Sequence, residues 1–163
     1  MQSSPKLLAS LRFLSALLWT LGLGATFGGG VLVLDPLGAI SGMPLSILQY
    51  SPFSNFLIPG LILLVVFGVG SFATLWAVWQ RPAWPFGAAL TRFTGEHWFW
   101  SAVVALGLGQ VVWIVTEVWI LRGVNWLHFL FGGVGILIAG MALEPRFRAY
   151  LTLKTPARSR PRV

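Results

Sequence analysis

Residues 56–80 read FLIPGLILLVVFGVGSFATLWAVWQ, twenty-five positions without one Asp, Glu, Lys or Arg. A hydrocarbon core of roughly 30 Å takes about 20 apolar residues in an α-helix, so this stretch is long enough to cross a bilayer. It is apolar on every side rather than along one stripe, which suits a helix bathed in lipid. Pro59 near its start either kinks that crossing or opens it. Three more stretches of the same kind flank it. Residues 7–34 carry only Arg12, whose stem can snorkel to the surface, and residues 97–121 and 124–143 complete the set. Thr94 is a fair N-cap for the third crossing with Glu96 in its first turn, and Pro145 is a plausible stop for the fourth. The expected fold is all-α: an integral membrane four-helix bundle over residues 1–145, followed by a basic tail at 146–163.

Composition agrees. The 163 residues are 56% hydrophobic and 9% charged, with mean hydropathy +0.82, against roughly a quarter charged in soluble domains. So few charges cannot cover a water-facing surface of this size. Cys is absent, which removes disulfide scaffolds, thiol chemistry and thiolate metal sites. The net charge of +7 would suggest nucleic acid in a soluble protein, but placement argues against it. Of eleven Lys and Arg, six lie in the last eighteen residues: Arg146, Arg148, Lys154, Arg158, Arg160 and Arg162. Such a tail is expected to lie against anionic headgroups, at about 1 kcal/mol per basic residue.

The remaining basic residues set an orientation. Lys6 and Arg12 precede or enter the first span, Arg81 and Arg92 lie in the second connection, and the first connection has none. By the positive-inside rule both termini and the middle loop are expected in the cytoplasm. Trp76, Trp79, Trp84, Trp98 and Trp100 then gather at the cytoplasmic interface, with Trp119, Trp126 and Tyr50 at the outer one. The first apolar stretch is longer than the core of a cleaved signal peptide and lacks a clear A-x-A site, so it reads as an anchor.

The first connection is too apolar to float in water. Ser41 with Pro44, and Ser51 with Pro52, are legible helix starts. They predict a short helix over 44–50 at the outer interface and a second helix opening near residue 52. The pattern Asp35-Pro36, Gly38, Gly42-Met43-Pro44, Ser51-Pro52-Phe53 and Ile58-Pro59-Gly60 resembles a group of small bacterial four-span integral membrane proteins to which no activity is assigned. The resemblance implies a bacterial inner-membrane protein and carries no catalytic residue.

Helices in lipid associate through small residues and polar contacts rather than through hydrophobicity. The expected seams are Gly24 and Gly28 in the first helix, and Ala73 and Ala77 in the second. In the third they are Ser101, Ala105 and Gly109, and in the fourth Gly135 and Ala139. These seams serve either this bundle or a homo-oligomer or larger membrane complex.

Ionisable groups inside spans are functional candidates because their burial is costly. Glu117 lies about four residues before the 122–125 turn and His128 about three after, so an antiparallel hairpin sets them at similar depth. Gln110 falls seven residues before Glu117 on the same face, and Asp35 and Asn125 belong to the same end. Two readings stay open: an outward-facing polar pocket with Glu117 as proton acceptor or cation ligand, or a satisfied structural contact. His97 and His128 lie at opposite ends of the membrane and cannot share a metal, although either could give a single axial ligand to haem or chlorophyll. No metal-spaced cluster or hydrolase motif is present, and four acids leave little for hydrolysis.

The function expected is therefore non-enzymatic: an accessory, assembly or small-ligand subunit binding lipid, pigment or another membrane protein. The alternative is a small transporter or membrane enzyme for an apolar substrate, built on the Glu117/His128 pocket.

Overall fold

A computed structural model describes residues 5–80, 98–145 and 147–148. Lipid leaves backbone groups no partner but one another, so apolar segments of this length close their own hydrogen bonds as helices. Four such helices form: α1 Pro5–Leu34, α2 Leu57–Gln80, α3 Trp98–Leu121 and α4 Trp126–Leu143, each long and apolar enough to cross a membrane. The protein is an all-α integral membrane four-helix bundle. Its spans fall within two residues of those expected. Thr94, Glu96, Arg81, Arg92, Trp84, His97 and the tail residues other than Phe147 and Arg148 lie outside the described residues.

Each helix packs on its neighbours in sequence, and α1 also packs on α4, while the diagonal pairs do not approach. The chain thus runs up and down around a square. One end carries the start of α1 and the finish of α4 (the terminal end); the other carries the 35–56 connection (the loop end). The core is concentrated at the terminal end. Leu11, Leu14 and Leu18 of α1, Val78 of α2, Phe99 and Val103 of α3, and Ile138 of α4 are almost wholly buried there. Trp79 Nε1 donates to Ser15 Oγ at 2.9 Å and Trp100 Nε1 to the Ala142 carbonyl at 2.8 Å. Packing also runs past the boundary expected at 145. Phe147 is fully buried, and Arg148 N donates to the Glu144 carbonyl at 2.9 Å, so a further helical turn belongs to the bundle.

The seams differ from the expected stripes. Between α1 and α2 the close approach is at Gly29, where a Cβ would stand 2.6 Å from Leu64 N and 2.8 Å from the Gly60 carbonyl oxygen. Between α3 and α4 it is Gly107, where a Cβ would stand 2.5 Å from Ala139 N, with Gly135 over the Gly107 carbonyl. Gly135, Ala139 and the buried Ala77 therefore lie in seams. Ala73 and Ala105 face outward instead, and Gly109 meets only the Phe67 ring, at 3.6 Å. The physical reason is phase: these helices have no polar stripe, so spacing alone does not say which small residues turn inward.

The 35–56 connection is folded. Asp35 accepts from Ile40 N, Met43 N donates to the Gly38 carbonyl at 3.0 Å, and Phe56 N donates to the Pro36 carbonyl at 2.9 Å. Gly38 sits at φ 80°, with Met43 O where a Cβ would be, so only Gly fits there. The helical part is one 3₁₀ turn, Leu45–Leu48, shorter than the helix expected over 44–50. Ser51 does not open α2. Its hydroxyl donates to the Leu48 carbonyl and accepts from Phe53 N, closing a turn, and Asn55 Oδ1 accepts from Leu57 N where α2 begins. Pro59 then falls in the first turn, where its missing N–H costs nothing, and α2 widens to i→i+5 hydrogen bonding over Ile62–Val69.

Candidate functional site

Below Gly24, α1 and α4 close on each other. The Phe131 ring occupies the place of a Gly24 side chain, with ring atoms 2.3 Å from where a Cβ would stand. Above that contact the loop-end half of the bundle is not filled. A cleft of about 710 Å³ opens there, bounded by α1 (Leu21, Gly24, Gly28, Val31), α3 (Gln110, Trp113, Glu117), α4 (His128, Phe131) and the connection (Ile40, Met43). Phe27, Ile40 and Leu127 at its rim are exposed, so the mouth opens sideways between α1 and α4 rather than only along the axis. A smaller space of about 70 Å³ lies under the connection, lined by Met43, Phe53, Phe56 and Pro59, and Trp113 and Glu117 border both.

The polar groups of the cleft come from α3, from His128 and the Asn125 cap of α4, and from Ser41 of the connection. Gln110, Trp113 and Glu117 follow one another at i, i+3 and i+7, which places them on one face of α3. Gln110 is 2% exposed, and its Oε1 has no hydrogen-bond partner; the buried Trp113 Nε1 likewise has none. Trp113 stands beside Glu117 without reaching hydrogen-bond geometry. Buried polar atoms left unmatched are rare because each forfeits its hydration.

His128 has a different role from the one its depth suggested. Asn125 Oδ1 accepts from Leu127 N at 2.9 Å and His128 N at 3.4 Å, while His128 Nδ1 accepts from Asn125 N at 3.0 Å. This is a reciprocal capping box that starts α4. With Nδ1 accepting, the neutral ring carries its proton on Nε2. That nitrogen has no lone pair to give a haem or chlorophyll without flipping the tautomer and orphaning Asn125 N, so the ring is poorly fitted as an axial ligand. Glu117 and His128 border the same cleft but share no hydrogen bond. Asn125 also lines the cleft. Asp35 does not: its carboxylate closes its own turn on Ile40 N. Among the described residues no group of three or more His, Cys, Asp or Glu could hold a metal ion.

No family model, curated protein or solved structure matches this chain. The site therefore stands on its own geometry. Trp113 is the lining residue that sequence reasoning missed. Its signal was present, since it falls between Gln110 and Glu117 on their face, but an indole in a membrane helix is ordinarily an apolar filler or an interface anchor.

Proposed function

We propose that the protein is a non-enzymatic membrane subunit that holds a small amphiphilic molecule, lipid-like in its apolar part, in the loop-end cleft. The observation that carries this reading is the cleft itself, about 710 Å³ and walled mostly by aliphatic and aromatic side chains, with the polar residues Gln110, Glu117, Asn125, His128 and Ser41 set among them. Binding sites of this kind are mostly apolar with a few placed polar groups. The lateral mouth would admit an occupant from the bilayer itself. Acid–base chemistry by a Glu117/His128 pair is less well served, because His128 Nδ1 is taken by the α4 cap and the two side chains are not joined. The distribution of Lys and Arg supports a setting in a bacterial inner membrane with both termini cytoplasmic and the cleft toward the outer leaflet.

The test uses the full chain in nanodiscs of zwitterionic phosphatidylcholine with 12-bromododecanol, whose bromine quenches nearby Trp fluorescence. Gly28 lines the cleft, and a Cβ there meets only Leu63 Cδ2, at 3.3 Å, so Gly28→Trp fills the cleft. Saturable quenching in the wild type that is lost in Gly28→Trp is expected. Equal quenching in both proteins would overturn the reading.

A further inference from the structure

The cleft also carries information about charge. Glu117 is its one acidic group, and no Lys or Arg is among the residues that line either the cleft or the adjoining cavity. Arg122, the basic residue next along the chain, has its guanidinium over the Tyr50 ring at 5.0 Å and the Trp119 ring at 5.5 Å. Neither ring borders the cleft. Asp35 is turned away into its own loop. Among the described residues, therefore, no Lys or Arg shares the cleft with this carboxylate, and in low dielectric its charge is costly until a counter-charge arrives.

The ligand head must suit this arrangement. A phosphate or carboxylate head would meet a like charge and find no guanidinium or ammonium to receive it. A neutral hydroxyl would leave Glu117 without a counter-charge. A protonated amine does more. Its N–H groups can pair with the Glu117 carboxylate, and the aromatic residues Trp113 and Phe131 that line the same cleft suit a cation.

We infer that the cleft is a binding site for lipophilic amines: an apolar body bearing a protonated amino group, seated with that group at Glu117. This deepens the reading given above and rests on the cleft being a ligand site at all.

The experiment compares three probes of one chain length, 12-bromododecylamine, 12-bromododecanol and 12-bromododecanoic acid, in the same nanodiscs. Wild type, Gly28→Trp, Glu117→Gln and Glu117→Asp are each measured. Partition into the bilayer is common to all the proteins, so differences between them report the site. The amine is expected to bind about tenfold or more tighter than the alcohol, with the acid weakest. Glu117→Gln should abolish the amine's advantage while leaving alcohol binding intact, and Glu117→Asp should keep most of it. If no probe distinguishes wild type from Gly28→Trp, the cleft is not a ligand site and both readings fall. If the alcohol binds in the cleft but the wild type takes amine no tighter than alcohol, or takes the acid as well as the amine, the amine assignment alone falls. That comparison needs no substitution at Glu117, so a poorly folding variant does not shelter the proposal.

Discussion

Gly28 and Gly29 are neighbours in the sequence and opposites in the structure. A Cβ at Gly29 runs into the α2 backbone at Leu64 N, whereas one at Gly28 meets only the flexible end of Leu63. Gly29→Ala must push α1 and α2 apart and is expected to cost about 2 kcal/mol or more, as overpacking does. Gly28→Ala should leave thermal unfolding in detergent nearly unchanged. Equal shifts in the two variants would contradict the seam. The run Gly28-Gly29-Gly30 reads from sequence as close-packed or flexible backbone; which of the three is pressed depends on the turn of a helix with no polar face to fix it. The capping pair gives a second expectation. Asn125→Ala removes the acceptor for two N–H groups and should cost about 1 kcal/mol. His128→Leu should also destabilise, whereas His128→Gln, a residue natural to the third position of a capping box, should recover most of the loss. A ligand role for the ring would make Gln and Leu equally damaging to binding, with little effect on unfolding.

Each of the four helices is long and apolar enough to cross a bilayer, which is why their existence and approximate bounds were readable from apolar runs. What could not be read was how each begins and how regular it is. Ser51-Pro52 looks like a helix start, but the Ser51 hydroxyl is used inside a turn and Asn55 receives Leu57 N instead. Both residues are ordinary caps, and only the tether from Phe56 N to the Pro36 carbonyl decides between them. Nor does the sequence mark the widened Ile62–Val69 stretch of α2. Such a stretch holds a residue more than a regular helix needs, so taking one out restores the usual pattern and keeps the flanking registers. Deleting the exposed Val66 is therefore expected to leave a folded protein, by size-exclusion profile and thermal unfolding. Deleting the equally exposed Val112 from the regular α3 turns all that follows by about 100°, which carries Trp113 and Glu117 off their face and should abolish folding. Equal tolerance of the two deletions would mean that the widening holds no spare residue.

Across the whole molecule, packing and opening are divided between the two ends. The fully buried Leu11, Leu14, Phe99, Ile138 and Phe147 fix the terminal end, while the loop end leaves a space with a lone carboxylate on its wall. Because α1 to α4 cross four times, the two ends must face opposite compartments, whichever way the bundle is inserted. Lys6 and Arg12 lie at the end where α1 starts and α4 finishes, and the 35–56 connection, without Lys or Arg, lies at the other. By the positive-inside rule the cleft is expected on the outer side, from which the proposed amine would meet the carboxylate without crossing the packed half. The absence of Cys allows this to be checked with single introduced thiols at exposed positions, Ser46→Cys in the 3₁₀ turn and Pro5→Cys at the start of α1. A membrane-impermeant maleimide is expected to label Ser46→Cys in intact cells and to reach Pro5→Cys only after permeabilisation. The reverse pattern would turn the cleft toward the cytoplasm and change where its occupant comes from. Labelling of both sites from outside would require an even number of crossings between them, two or none in place of one at α1, and would undo the four-span arrangement itself.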